Sequence, residues 1–176
     1  VGAGSGCHTL ALRKMGKEAL AIDISPWSVK VMEARGLTAR QVNLFDERFT
    51  ERFDTILMLM NGSGIIGRLE RMGDFFRRIR QLLNPGGQIL MDSSDLRYLF
   101  EDEDGSYLVN LAGNYYGEID FRMQYKQVKG DSFDWLYVDF DTSSAYAAQC
   151  GFPAESIHQG SHYHYLARLT VTDEAL

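Results

Sequence analysis

The chain begins with Val1-Gly2-Ala3-Gly4-Ser5-Gly6-Cys7-His8, a stretch in which glycine occupies every second position. Glycine has no Cβ atom, so the main chain takes positive φ angles easily and a ligand can approach it closely. Apolar residues then predict a helix from Cys7 to Met15, whose first turn directs unpaired N–H groups at the loop. The stretch predicts a strand-to-helix turn that binds a nucleotide or nucleoside. The alternative is a tight turn without a ligand.

The glycine spacing distinguishes two kinds of cofactor loop. The dinucleotide fingerprint G-x-G-x-x-G/A would place its last small residue at position 7, which is Cys7. The chain has G-x-G-x-G instead, so the loop departs from the dinucleotide pattern at its third glycine.

A short apolar run over 18–23 ends in Asp23, which is typical of a buried parallel strand. Asp23 follows the glycine loop by about 20 residues, where a strand-end carboxylate can accept both ribose hydroxyls of a nucleoside. Each such bond to a charged acceptor contributes about 1.5 to 3 kcal/mol. Ser25 and Pro26 suit the cap and first turn of the next helix. The alternative is that Asp23 serves only that helix start.

Four tracts in order resemble the class I S-adenosylmethionine (SAM) dependent methyltransferases. They are Val1-Gly2-Ala3-Gly4-Ser5-Gly6, then Ala21-Ile22-Asp23-Ile24-Ser25-Pro26, then Phe53-Asp54 opening an apolar strand, and Leu82-Leu83-Asn84-Pro85-Gly86-Gly87 before another. In that family an acid precedes the apolar residue of the first motif. We therefore expect an amino-terminally truncated domain whose first strand lies largely upstream of Val1.

The resemblance implies SAM as the cofactor and S-adenosylhomocysteine as the product. The residues it assigns to cofactor binding are Gly2, Ala3, Gly4, Gly6, Asp23, Ile24, Asn43, Leu44, Met60 and Asn61. Family members usually have an acid where this chain has Asn43, to bind the adenine amine, and the next N–H reaches a ring nitrogen. An asparagine oxygen can also accept the amine hydrogen. Asp46 is the competing candidate for this role.

The predicted fold is α/β: a Rossmann-like three-layer sandwich with a mostly parallel seven-stranded sheet. The resemblance implies an antiparallel last strand, formed here by a closing hairpin of 154–159 and 163–171. We interpret 1–176 as a single domain, with 96–141 as an inserted cap or hairpin region. There, alternation predicts a strand over 117–125, a turn at Lys129-Gly130-Asp131-Ser132 and a returning strand over 135–140. This hairpin would lie on the sheet, cap the site with aromatics that include Tyr115 and Tyr116, or pair with a second copy in a homodimer.

The composition limits the kinds of partner that the protein is expected to bind. With 176 residues, 45% of them hydrophobic, the chain can bury a substantial core. The net charge of −6 argues against nucleic acid, although arginines at 68, 71, 77, 78 and 80 fall in one predicted helix, which we interpret as a solvated face. No apolar run is long enough for a membrane span. We expect a cytoplasmic protein with a small-molecule acceptor.

The sequence predicts methyl transfer from SAM and names no catalytic residue, because holding the acceptor in line with the methyl group can supply much of the rate. We predict no metal site: His158, His162 and His164 lie close in sequence, but no carboxylate accompanies them at ligand spacing. One of these histidines as a general base is an alternative to a polar turn. The rival functions are a nicotinamide-dependent oxidoreductase and a SAM-binding module without turnover.

Overall fold

The computed structural model describes residues 1–108 and 112–172. The chain forms two compact units, Val1–Glu51 and Arg52–Leu176, which are described separately. The predicted domain 1–176 and the predicted insertion 96–141 include residues 173–176 and 109–111, and those segments lie outside the described residues.

The first unit alternates helices and strands: α1 (Cys7–Lys14), β1 (Ala21–Asp23), α2 (Pro26–Ala34) and β2 (Ala39–Gln41). Strands β1 and β2 pair in parallel, with Ile22 opposite Arg40. The Ser25 hydroxyl caps α2 by accepting from the N–H of Ser28, and Pro26 occupies the first turn, so both predictions are confirmed. The core of this unit is formed by Ala21, Val29, Met32 and Leu37.

The second unit contains two helices, α3 (Met72–Leu82) and α4 (Phe140–Gln149). Its strands are β3 (Phe53–Met58), β4 (Leu83–Ser94), β5 (Glu118–Tyr125), β6 (Val128–Leu136), β7 (Ala154–Gln159) and β8 (His164–Thr170). Short 3₁₀ helices cover Gly62–Ile66, Leu69–Arg71 and Leu96–Phe100.

The main sheet of the second unit has the strand order β3-β4-β8-β7. Strand β4 is parallel to β3, whereas β8 runs antiparallel to both β4 and β7. The last strand, β8, therefore lies between β4 and β7. The sheet is mixed because it contains both parallel and antiparallel pairs. Two other sheets of two strands each, β1-β2 and β5-β6, complete the described strands. A single continuous sheet of seven strands stays a prediction.

Helix α3 supplies the core of the second unit. Its apolar residues recur at helical spacing and are fully buried, among them Phe75, Phe76 and Ile79. Phe76 packs against Phe152, with ring centroids 5.3 Å apart. The apolar residues at helical spacing therefore form the face of α3 that packs in the core.

Of the five arginines that we expected on a solvated helix face, Arg71 and Arg77 are exposed, whereas the other three are partly or fully buried. Arg78 is buried. The Arg80 guanidinium donates to the carbonyl oxygens of Cys150, Gly151 and Thr172 at 2.8 to 3.1 Å. Arg68 forms ion pairs with three carboxylates of the β5-β6 pair, those of Glu118, Asp120 and Asp134. Arg68 and Arg80 thus join segments distant in sequence, because a guanidinium offers five donors in a fixed arrangement.

Strands β5 and β6 pair antiparallel, with Ile119 opposite Trp135 and Phe121 opposite Phe133. The predicted turn at 129–132 is wrong: those residues lie within β6, and the chain reverses at 126–127, where Lys126 has φ +53°. The returning strand predicted over 135–140 is wrong for the same reason, since β6 ends at Leu136 and α4 begins at Phe140. Cross-strand aromatic pairing fixes this register, since the Phe121 and Phe133 rings stack at 6.0 Å. The turn composition of Lys129-Gly130-Asp131-Ser132 is therefore overridden by packing.

Within 1–108 and 112–172, none of the helices has the length and apolar character that crossing a bilayer requires.

Candidate functional site

The glycine loop has the backbone conformation that its composition predicts. Gly2, Gly4 and Gly6 have φ angles of +60°, +55° and +79°, all in the left-handed region. A Cβ atom on Gly6 would lie 2.5 Å from Leu37 Cδ1, whereas one on Gly4 would meet nothing within 4 Å. Gly6 thus allows the loop to pack on the unit's own core, and Gly4 leaves open space beside the main chain.

Asp23 lies at the end of β1 and orders this loop. Its Oδ2 accepts the N–H of Gly4 at 2.8 Å, and its Oδ1 accepts the N–H of Ser25 at 2.8 Å. The N–H of Ala3 also binds the carbonyl of Ile22 at 3.1 Å. A carboxylate has about four lone-pair sites, so two remain for other donors. The structure therefore places the acid beside the glycine loop, with unused acceptor capacity.

The predicted adenine-binding residues lie in the same unit. Ile24, directly after Asp23, has 70% of its surface exposed. Asn43 is exposed, and its Oδ1 accepts the N–H of Phe45 at 3.0 Å, while Leu44 is buried. The competing Asp46 binds Arg48 through both carboxylate oxygens. Asp46 therefore already forms an ion pair with Arg48, its neighbour in the local turn.

The loop after β3 carries the other two predicted cofactor residues. Met60 and Asn61 have φ angles of +68° and +56°. Asp92 on β4 holds this strained loop by accepting the N–H groups of Met60 and Gly62, each at 3.1 Å. Sequence reasoning missed Asp92, although it ends an apolar run just as Asp23 does.

The Asn61 side chain belongs to a short hydrogen-bond chain. The buried Ser94 hydroxyl donates to Asn61 Oδ1 at 2.7 Å and lies 3.0 Å from His164 Nδ1. Ser94 ends β4 and His164 begins β8, so the antiparallel pairing of these strands sets the two residues opposite each other. Sequence spacing gave no signal for this pair, which is 70 residues apart.

These residues border a cavity of about 370 Å³ within the second unit. A volume of this size suits a small organic molecule. Its lining is mostly apolar or aromatic: Asn61, Ser94, Leu96, Tyr98, Leu99, Ile119, Phe121, Tyr137, His162 and His164.

The three neighbouring histidines take different positions. His162 lies in the turn between β7 and β8, whereas β8 begins at His164. Both nevertheless line the cavity, whereas His158 is on β7 and does not. Across the described residues, no group of three or more His, Cys, Asp or Glu side chains could hold a metal ion.

Tyr115 and Tyr116, which were expected among the aromatics that cap the site, are not among the residues that line the cavity. The Tyr115 hydroxyl donates to Asp139 at 2.6 Å, and the Tyr116 hydroxyl donates to Asp95 at 2.8 Å. Both carboxylates are buried, and each caps a helix. Because buried carboxylates need donors, these tyrosines fasten the segment before β5 to the ends of β4 and β6.

This cluster gives a pH-dependent prediction. Burial raises the pKa of Asp139, but hydrogen bonds from Tyr115 and Thr142 outweigh it, so the net pKa is lowered. The bond from Tyr115 therefore stabilises the fold above the ordinary carboxyl pKa and is lost as pH falls through the lowered value. We expect Tyr115→Phe to reduce the free energy of unfolding by about 1 to 3 kcal/mol at pH 7.

Urea unfolding of wild type and Tyr115→Phe between pH 7 and pH 3 checks this expectation. The difference should shrink below about pH 4, where an unfolded carboxyl begins to bind a proton. Tyr125→Phe, an exposed position on β5, is the control and should change little. The Tyr115 hydroxyl also accepts the backbone N–H of Asp139 at 3.0 Å, a bond that does not titrate. A difference that is constant with pH would therefore show that this backbone bond, and not the one to the Asp139 carboxylate, accounts for the loss.

Comparison with known proteins places these observations in context. A family model described as a methyltransferase domain matches residues 1–89. A SAM-dependent methyltransferase from Bacteroides fragilis, crystallised in complex with S-adenosyl-L-homocysteine, is 72% identical, with a TM-score of 0.91. The match covers 97% of this chain and 70% of that one.

More distant structures share the fold. A protein from Pyrococcus horikoshii is 16% identical with a TM-score of 0.70, covering 97% of this chain and 79% of that one. A sugar N-methyltransferase from Streptoalloteichus is also 16% identical, with a TM-score of 0.66 and coverage of 98% and 78%.

Curated protein sequences give no match. The family model and the 72% identical structure agree with the four motifs read from the sequence. The fold is the α/β fold of methyltransferases, with mixed sheets and several helices. The chain belongs to the class I SAM-dependent methyltransferases.

Proposed function

We propose that this protein transfers a methyl group from SAM to a small-molecule acceptor. The observation that carries the proposal is the geometry of Asp23, whose carboxylate is held against the glycine loop by the N–H groups of Gly4 and Ser25. A ribose with two adjacent hydroxyls fits the remaining acceptor positions of such a carboxylate. The relative from Bacteroides fragilis, which was crystallised with S-adenosyl-L-homocysteine, supports the same ligand.

The first unit offers a site for the nucleoside part of the cofactor. The open space beside Gly4 fits a group lying against the main chain, which a Cβ atom there would obstruct. Exposed Ile24 offers apolar surface for the adenine ring, and Asn43 retains a second lone pair on Oδ1 for the exocyclic amine. The N–H of Leu44 is the proposed donor to a ring nitrogen. We favour Asn43 over Asp46, because Arg48 already binds the Asp46 carboxylate.

The resemblance also assigns Met60 and Asn61 to the cofactor. The backbone strain at these two residues supports the assignment. Strained residues persist only where the surrounding structure holds them, as Asp92 does here, and they are common at functional sites. The assignment of both residues to cofactor binding stays a prediction.

When bound, SAM supplies an electrophilic methyl group. The protein's task is to bind the acceptor, exclude water and orient its nucleophilic atom, which can be worth about 7 to 11 kcal/mol. The 370 Å³ cavity, with Asn61 among its walls, is the proposed acceptor site. Strand β5 supplies Ile119 and Phe121 to that cavity, so the β5-β6 pair has the proposed role of a wall.

A small molecule is the proposed partner because the cavity is of small-molecule size and the chain carries a net charge of −6, which disfavours nucleic acid. Exposed Met123, Tyr125 and Val128 on the β5-β6 pair support pairing with a second copy.

Methyl-labelled SAM tests the proposal. The whole chain is incubated with labelled SAM and a bacterial lysate separated into metabolite, protein and nucleic-acid fractions. We expect label in the metabolite fraction only, with S-adenosylhomocysteine formed in equal amount. Label in a macromolecular fraction would contradict the small-molecule acceptor, and binding of SAM without label transfer to any fraction would favour a module without turnover.

A further inference from the structure

The cavity in the second unit holds a polar group whose proton positions can be worked out. Ser94 has one hydroxyl hydrogen, and it is donated to Asn61 Oδ1 at 2.7 Å. The contact of 3.0 Å between Ser94 Oγ and His164 Nδ1 therefore requires the hydrogen to come from the imidazole. Neutral His164 is thus the tautomer with hydrogen on Nδ1, which leaves a lone pair on Nε2. That nitrogen can accept a proton.

The backbone around the cavity supports a functional role for this arrangement. Among the described residues, five other than glycine have positive φ, and four of them are Met60, Asn61, His162 and Tyr163. His162 and Tyr163 are the two central residues of the β-turn 161–164 that leads into β8, positions where Asn-Gly is preferred because both residues need φ above zero. Such conformations cost energy and cluster at functional sites. The turn places His162 on the cavity wall and stacks Tyr163 on Tyr98, with centroids 5.5 Å apart.

The other walls restrict the ligand. Three aromatic rings, of Tyr98, Phe121 and Tyr137, face it together with aliphatic side chains, and no Lys, Arg, Asp or Glu is among the described lining residues. A charged group on the ligand would find no oppositely charged side chain among these described walls. The cavity therefore suits an uncharged ring compound.

A proton acceptor in the cavity limits the chemical class to which the nucleophilic atom of the methyl acceptor belongs. An aliphatic amine is a charged ammonium at neutral pH, and the part of the cavity lining that the structure describes offers no carboxylate to pair with it. A phenolic hydroxyl, with a pKa near 10 as in tyrosine, is uncharged at neutral pH and is a weak nucleophile until its proton is removed. We propose that the acceptor is an aromatic hydroxyl compound and that His164 is its general base, with Ser94 and Asn61 as positioning residues. This inference rests on the proposed methyltransferase function.

The hydroxyl O–H bond breaks and its proton passes to His164 Nε2. The oxygen lone pair forms the new bond to the methyl carbon, and the sulfur retains the electron pair of the broken carbon–sulfur bond. The imidazolium then releases the proton to water, so that His164 returns to its starting state.

The tautomer is tested without any ligand. Nitrogen-15 NMR of the whole chain with labelled histidine, assigned by His164→Gln, should show hydrogen on Nδ1 of His164. In Ser94→Ala the hydrogen should move to Nε2, the usual position in free imidazole side chains. Hydrogen on Nε2 in the wild type would overturn the proposal, and this reading does not depend on how Ser94→Ala folds.

The acceptor class is tested with 2-naphthol, a two-ring phenol, and SAM, following the methyl ether and S-adenosylhomocysteine. We expect turnover by the wild type, a fall in kcat of about 10²- to 10⁴-fold in His164→Gln, and little change in KM. His158→Gln, outside the cavity, is the matched control and should behave as wild type. Wild-type turnover in His164→Gln, or no methylation of 2-naphthol by a wild type that binds S-adenosylhomocysteine, would overturn the proposal. Failure to bind S-adenosylhomocysteine would instead overturn the proposed function, whatever the tautomer of His164.

Discussion

Replacing Asp23 with alanine should weaken the binding of S-adenosylhomocysteine by a factor of about 10² to 10⁴. The estimate corresponds to losing two hydrogen bonds from ribose hydroxyls to a charged acceptor, at about 1.5 to 3 kcal/mol each. The same change removes the partners of the Gly4 and Ser25 N–H groups, so the loop also loses its anchor. Calorimetric titration of the wild type and the variant gives the ratio of Kd values.

Two further variants separate ribose binding from loop order. Asp23→Asn keeps one side-chain oxygen and should fall between the wild type and Asp23→Ala. Asp46→Ala is the matched control in the same unit, because its carboxylate serves Arg48. A Kd for Asp23→Ala within threefold of wild type would contradict the assignment of this residue. A clear loss of affinity in Asp46→Ala would instead favour Asp46 over Asn43 as the residue that binds the adenine amine.

Gly117→Ala should be the most destabilising small substitution in the second unit. A Cβ atom there would lie 1.8 Å from the carbonyl oxygen of Tyr137, and the N–H of Tyr137 binds the Gly117 carbonyl at 2.8 Å. Backbone cannot move aside as a flexible side chain does, so the strands must separate. We expect a loss of about 3 kcal/mol, which corresponds to a fall in Tm of roughly 6 to 12 °C.

Gly130→Ala is the control for this change, since it lies in the same strand pair and its added Cβ would be 3.4 Å from the nearest atom, the Met123 carbonyl oxygen. Calorimetry or thermal melting followed by circular dichroism compares the two variants. Equal melting temperatures for Gly117→Ala and Gly130→Ala would show that the approach of Gly117 to Tyr137 is not as close as described.

The cofactor loop could be predicted from sequence because its determinants are local. Glycine spacing sets the φ angles, and the acid follows at the end of the next strand, where parallel strands bring it beside the loop. The helix start at Ser25 and Pro26 was predictable for the same reason, since a cap depends on residues within one turn. These features need no knowledge of how distant segments pack.

The cavity could not be predicted in this way. Ser94 and His164 meet because β4 and β8 pair antiparallel, and that pairing is decided by the whole sheet. Arg80 was interpreted as solvated because a helical arginine usually is, yet three carbonyl oxygens far along the chain surround it. Tyr115 and Asp139 likewise meet only after the intervening strands have folded. Long-range hydrogen bonds of buried polar groups leave little trace in sequence periodicity.

Binding of S-adenosylhomocysteine by the whole chain is the most direct test of the central claim. Calorimetric titration should give one site per chain, with the Kd raised about 10²- to 10⁴-fold in Asp23→Ala, and parallel titration with NADH should give no heat of binding. Saturable binding of NADH, or S-adenosylhomocysteine binding that survives unchanged in Asp23→Ala, would contradict the claim that the glycine loop and Asp23 form the SAM site.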